Sequence, residues 1–304
     1  MQTFLKSIFA IVLLAGTAMS AHAGDLPAVS GPNGKVSVEG GSFDDESAGV
    51  ALGSFAMPLG HSFGLQADGA LGSIDDEILG GGGLHLFTLD PSSYLLGAYG
   101  SYHTWDSIDI WRLAAEAELY LGRFTLDGLA GYESVNLPSE ADGLLVLTPD
   151  DDHFFGQADV AYYITDDFKV YGGYRYMNET SFGAAGAEYL IRGHDVPLSL
   201  FARGDFGDEE YTSITGGLKV YLSGDPQKSL IDRHRRDDPD IYMPVFPTKL
   251  ATKDKLPQCT LAGSSTWKVQ SPTNGQCICP PGSQLAGQRP VPGPNNSWGC
   301  RPGT

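Results

Sequence analysis

Alternation is the feature that most limits what this chain can become. From about residue 34 to residue 222 apolar residues recur at every second position, as in Phe63-Leu65-Ala67-Gly69-Leu71, Phe124-Leu126-Gly128-Ala130-Tyr132, Phe168-Val170-Gly172-Tyr174-Tyr176 and Ile214-Gly216-Leu218-Val220-Leu222. Successive side chains of a strand point to opposite faces, so each set lies on one face of a sheet. The intervening positions carry Gln66 and Asp68, Asp127 and Glu133, Lys169 and Arg175, Arg203 and Asp205. One face is greasy and the other charged, and no segment shows a helical stripe. About twelve runs can be counted, near 34–41, 48–57, 62–72, 78–88, 93–104, 109–121, 124–134, 153–164, 167–177, 181–191, 196–206 and 212–222. Most are about double the usual globular strand of 5–6 residues. A tilted strand needs roughly 9–11 residues to cross a bilayer, and these runs supply them.

The two ends of the chain read differently. Lys6, the apolar run Ile8–Leu14 and Ala21-His22-Ala23 form the three parts of a secretory signal, so residues 1–23 are expected to be removed on export. Residues 24–222 hold 31 acidic and 8 basic residues, whereas residues 223–304 hold 6 acidic and 10 basic. All four Cys lie in the second part. This asymmetry divides the mature chain into a strand-rich body (24–222), a linker (223–258) and a Cys-rich tail (259–304). The acidic balance disfavours nucleic acid as a partner.

The connections form a second pattern. After even-numbered runs come turn sequences such as Pro58-Leu59-Gly60-His61, Asp90-Pro91-Ser92 and Gly122-Arg123. After odd-numbered runs come mostly acidic loops, at Asp44-Asp45-Glu46, Asp75-Asp76-Glu77, Asp208-Glu209-Glu210 and, longest, from Asn136 to Asp150-Asp151-Asp152. Export signal, Gly-rich alternation, loop asymmetry and the last run Gly216–Leu222 together resemble the outer-membrane β-barrel proteins of Gram-negative bacteria, broadly the porin-like class. The resemblance covers 24–222. It implies an all-β fold, a closed transmembrane antiparallel barrel in outer-membrane lipid, with short turns facing the periplasm and long loops outside. An even strand count then places both barrel ends, and the tail, on the periplasmic side. Tyr94, Trp105, Trp111, Tyr132, Tyr162, Tyr174 and Tyr189 are the candidates for interfacial aromatics. A soluble β-sandwich or barrel, with the polar face outside, is the structural alternative.

If the barrel closes, alternation assigns a mixed ionic set to its interior. Arg112, Glu116, Glu118, Asp127, Asp159, Lys169, Arg175, Arg203 and Asp205 are the pore-lining candidates, joined by Lys35, Glu39, Asp68, Glu133, Glu188 and Lys219. They either fill the lumen with salt bridges or line a narrow, charge-selective pore. Acidic loops at the outer mouth favour cations. The expected function is a passive porin-like channel for small solutes with weak cation preference. The alternative is a structural or adhesive barrel whose tail binds periplasmic envelope components.

Catalytic and metal signals are slight, and the chain reads as a non-enzyme without cofactor. Gly60-His61-Ser62-Phe63-Gly64 matches a nucleophile elbow, but an alternating run follows where that motif needs a helix. Ser101 and His103 share a face, with no third residue to orient them. Asp75-Asp76-Glu77 and Asp150-Asp151-Asp152 lack the spacing of a calcium loop. In the tail, Lys228–Arg236 suggests a short basic helix ended by Asp238-Pro239, within a solvated linker. Cys259, Cys277, Cys279 and Cys300 suggest a disulfide-stapled unit. A 277–279 bridge would close too tight a loop, leaving the two pairings that join each of these to 259 or 300.

Overall fold

The computed structural model describes residues 26–43, 46–105, 108–136, 140–141, 144–146, 151–177, 180–193, 195–207, 212–222, 225–237 and 239–243, with short backbone stretches at 259–261, 268–270, 283–285 and 298–302. The strands are β1 (Asn33–Phe43), β2 (Glu46–Leu59), β3 (Phe63–Ile74), β4 (Glu77–Asp90), β5 (Tyr94–Trp105), β6 (Ile108–Leu121), β7 (Phe124–Asn136), β8 (Asp151–Thr165), β9 (Phe168–Met177), β10 (Thr180–Ile191), β11 (Leu198–Gly207) and β12 (Thr212–Tyr221). Each pairs antiparallel with its sequence neighbours, and β1 pairs with β12 from Lys35↔Tyr221 to Phe43↔Ser213. The sheet therefore closes and has no edge. Closure satisfies every ladder hydrogen bond internally, the one way a sheet can enter lipid.

The two faces decide which solvent surrounds the barrel. Along β6 burial alternates without a break, and the exposed positions are Trp111, Leu113, Ala115, Leu119 and Leu121. Leu71 is 65% exposed, Leu84 58% and Leu113 70%, whereas Arg112 is 4% exposed and Glu116 2%. A soluble barrel would have the reverse pattern. So broad an apolar exterior fits only a hydrocarbon surround. Exposed aromatics form two girdles. Phe124, Tyr162 and Tyr189 lie near the rim where β1 begins and β12 ends, and Trp111, Tyr132, Phe154, Tyr174 and Phe206 lie near the other. Trp105 departs from the expectation. Leu95, Tyr99, Ser101 and His103 set the inward phase of β5, which Trp105 shares; it is 2% exposed and its Nε1 donates to the Ile74 carbonyl at 3.0 Å.

The rims differ less than the turn sequences suggest. Strands run into the acidic segments and absorb Glu46 and Glu77. Only Asp75 and Asp76 remain between β3 and β4, both with positive φ (50° and 63°), the backbone of a tight type I′ hairpin. Of the connections on that rim only 137–150 is long. This rim is called the loop rim below, and the opposite one the turn rim. The nucleophile-elbow match falls on the turn between β2 and β3, with Gly60 at φ 72°, and joins two antiparallel strands rather than a strand and a helix.

Residues 225–243 do not behave as a solvated linker. A short helix, α1 (Leu230–Arg236), starts at Ser229, whose hydroxyl accepts from the Asp232 amide and donates to the Asp232 carboxylate. It docks across the turn rim, with Leu230 fully buried against Tyr163, Leu190 and Tyr221. Its basic residues bind the barrel. Arg235 donates to the Gly122 and Phe124 carbonyls at 2.8 Å each, and its guanidinium lies 5.0 Å from the Tyr120 ring centre. Beside it, Ser30 donates to Asp237 at 2.6 Å, and Ala28 and Val29 bury against Phe87, Leu89, Leu95 and Tyr120. The turn-rim mouth thus has a floor made from both ends of the barrel sequence. Cys277 and Cys279 lie outside the described residues, and Cys259 and Cys300 are described as backbone only.

Candidate functional site

The charged interior is built by strand phase, and all nine candidate side chains point into it. Most are engaged in pairs. Arg112 donates from Nε and Nη2 to Glu133 Oε2 at 3.0 and 2.8 Å, with its guanidinium 4.6 Å from the Phe155 ring centre. Arg175 makes two hydrogen bonds to Asp159, at 2.7 and 3.0 Å, and a third contact to Asp205 at 3.3 Å. Arg203 pairs with Glu39, and Lys219 with Glu188 at 2.9 Å. Pairing of this kind offsets the cost of holding charge away from water. Gly173 is required here, because a Cβ on it would collide with the Asp159 carboxylate and the Ala158 carbonyl.

Sequence reasoning missed the centre of the network. His85 is fully buried on the inward face of β4, between Asp68 (2.8 Å from Nε2) and Glu116 (2.8 Å from Nδ1). Its ring lies 4.7 Å from that of Tyr99. The signal was present but small: one histidine at an inward position, flanked by outward Leu84 and Leu86. Ser101 and His103 are both inward and buried, and no hydrogen bond joins them among the described contacts. Among the described residues no cluster of ligands could hold a metal ion.

The larger omission is the C-terminal segment itself. Past α1 the chain turns into the lumen, and residues 239–243 run up its interior. Lys35 Nζ donates to the Pro239 carbonyl at 2.8 Å, and Gln66 reaches the same oxygen at 3.3 Å. Lys169 Nζ contacts Asp240 Oδ2 at 3.5 Å. Tyr99 donates to the Tyr242 carbonyl at 2.9 Å, while the Tyr242 hydroxyl donates to Asp127 at 3.2 Å. The Tyr99 and Tyr242 rings meet edge to face at 5.5 Å. At the floor, burial and then Lys169 push the His234 imidazole down to about 3, against the pull of Glu188 and Asp240. Beside the segment runs a cavity of about 150 Å³, lined by Glu118, Asp127, Asp159, Arg175, Arg203, Asp205 and Asp240 among others. A second, of about 90 Å³, touches Lys35, Glu39, Glu188 and Lys219.

A closed antiparallel barrel with an apolar exterior, two aromatic girdles and an ionic interior leaves one architecture. It is a twelve-stranded β-barrel of the kind that spans a membrane. Neither a protein-family model nor a curated protein matches the chain. Solved structures match the barrel at low identity. The KdgM porin is 8% identical, with a TM-score of 0.44 over 63% of this chain and 99% of that one. The COG4313 outer membrane channel from Pseudomonas putida F1 is 12% identical, with a TM-score of 0.45 over 67% and 98%. The outer membrane phospholipase A from Escherichia coli, an enzyme, is 14% identical, with a TM-score of 0.40 over 67% and 95%. At such identities the likeness concerns the fold.

Proposed function

We propose that this barrel is a passive porin-like channel for small hydrophilic solutes, with a weak preference for cations, held at low conductance by its own C-terminal segment. The observation that carries the reading is the lining of the larger cavity. Five carboxylates (Glu118, Asp127, Asp159, Asp205 and Asp240) face two guanidinium groups (Arg175 and Arg203) across it. A path with that balance attracts cations modestly, because Arg175 is paired to Asp159 and Asp205 of that set while Arg203 is paired to Glu39. Acidic residues at the loop rim, including Asp75, Asp76 and Asp208-Glu209-Glu210, add a negative field at that mouth. The reading assigns no catalysis and no cofactor.

A structural or adhesive barrel is the second reading, and the occupied lumen favours it. Among the described residues, floor, inserted segment and ion pairs occupy the lumen beside cavities of about 150 and 90 Å³. The tail is expected to be stapled by two disulfides among Cys259, Cys277, Cys279 and Cys300, which free-thiol titration of denatured, unreduced protein checks. Reversal potentials in planar bilayers across a salt gradient test the channel. A small cation preference that shrinks at high salt is expected, since exposed charges are screened over about 10 Å at 0.1 M. Anion preference refutes the reading. Silence from folded protein, with the segment's contacts weakened as well, leaves the structural barrel.

A further inference from the structure

The inserted segment has a direction. Leu230 packs at the turn rim against Tyr221, the last residue of β12, and Leu190, the last but one of β10. Ile241 and Met243 pack instead against a cluster containing Ile74, Trp105, Ile108 and Val135. Ile74 and Trp105 are the last residues of β3 and β5, Ile108 the first of β6 and Val135 the last but one of β7. All four belong to the loop rim. Between Leu230 and Met243 the chain has therefore climbed from the turn rim past mid-barrel, where Tyr242 meets Tyr99 and His85, toward the loop rim. The six steps from Asp237 to Met243 span at most roughly 20 Å when extended, enough to climb from the floor to that cluster.

We propose that the chain passes through its own barrel, so that the Cys-rich module beginning at Cys259 stands on the loop side rather than in the periplasm. The barrel then serves as the carrier that displays its own C-terminal module. Two further observations agree. Lys268–Gln270 pairs in parallel with Leu144–Val146, which belongs to the long connection on the loop rim between β7 and β8. Residues 244–304 carry six Lys or Arg and one acidic residue, and the rim they would cover is acidic. Opposite charges of that kind hold a module over a mouth. To reach the turn side instead, the chain would have to reverse and descend past Arg175 and Arg203. Its backbone donors and acceptors would then need partners among side chains already paired to Asp159, Asp205 and Glu39.

The proposal concerns topology and stands whether or not the barrel conducts. Its test uses the full chain in the outer membrane, with one epitope after Thr304 and reference epitopes placed singly at the Asp75-Asp76 hairpin and at the Gly60–Ser62 turn. Heat-modifiable migration on gels establishes that each variant is folded. The C-terminal epitope is expected to label on intact cells together with the hairpin epitope and to gain no signal on permeabilisation. If it labels with the Gly60–Ser62 epitope, the proposal is overturned. A photo-crosslinking residue in place of Met243 supplies a second readout. Capture of peptides from the loop-rim ends of β3, β5 or β6 is expected, and capture confined to turn-rim peptides is the contrary result.

Discussion

Tyr242→Ala is the most informative single change. The side chain is 6% exposed, meets Tyr99 edge to face and donates to Asp127, yet it takes no part in the strand ladders. Its loss should therefore weaken docking of the segment while leaving the barrel closed. Removing a buried aromatic side chain costs about 3–5 kcal/mol. At 1.4 kcal/mol per factor of ten, the docked-to-undocked ratio should fall roughly a hundredfold to a few thousandfold. The Tyr99 hydrogen bond survives because it ends on the Tyr242 carbonyl, which places the effect toward the lower end. Tyr242→Phe keeps the ring and loses only the hydrogen bond to Asp127, a cost of about 1–2 kcal/mol. In planar bilayers the Ala variant should show longer or larger openings than the parent, with Phe between them. Amide exchange should rise across 239–243 while the strands stay protected. If conductance and exchange in the Ala variant both match the parent, the segment does not control the lumen and the reasoning fails.

Other changes probe the remaining layers. Leu84→Arg puts a charge on the lipid face midway along β4 and should destabilise by about 2–4 kcal/mol in urea titrations of protein folded into vesicles. Arg112→Ala takes the guanidinium from the buried Glu133, leaving it His153 at 3.2 Å, and should cost up to roughly 3–5 kcal/mol by the same titration. Neutralising Asp75 and Asp76 by Asn should lower cation preference without changing stability, read as a smaller reversal potential at low salt. Acidification should loosen the floor. His234 faces Tyr163, Tyr221, Glu188, Lys169, Lys219 and Asp240, and stays neutral when docked down to about 3. Undocked it would take a proton near 6.5, so docking is full at pH 7 and weakens progressively as pH falls below that value. At 1.36 kcal/mol per pH unit the loss by pH 5 is about 2 kcal/mol, visible as faster amide exchange in α1. His234→Gln should flatten that response.

The barrel was readable because its rule is local. Period two needs no knowledge of partners, and twelve runs with turns between them translate directly into twelve strands and a closed order. Inward placement of Arg112, Glu116 and Lys169 follows from the same phase. What the phase does not carry is which inward groups find each other. Asp68, His85 and Glu116 come from β3, β4 and β6, and their meeting depends on the registers between those strands and across the intervening β5. Trp105 shows the same limit: aromatic character suggested an interface, while the phase of β5 turned the residue inward. The inserted segment was hidden for another reason. Asp240-Ile241-Tyr242-Met243 is too short to show a period and lies between Pro239 and Pro244, so composition reads it as linker. Its apolar residues were the only hint of burial.

The seam between β1 and β12 joins strands from opposite ends of the barrel sequence, and a segment of the same chain lies inside the ring they complete. A ring cannot be entered sideways once its last ladder has formed. Either Pro239–Met243 is already in place when β1 meets β12, so that the sheet wraps around it, or everything beyond Met243 must be drawn lengthwise through a floor built from Ala28, Val29 and α1. Early placement gives inward residues such as Tyr99 and Lys35 a backbone to bind before the seam exists. Assembly order, and with it the point at which an insertion machine must let go of the chain, is thus written into the position of five residues.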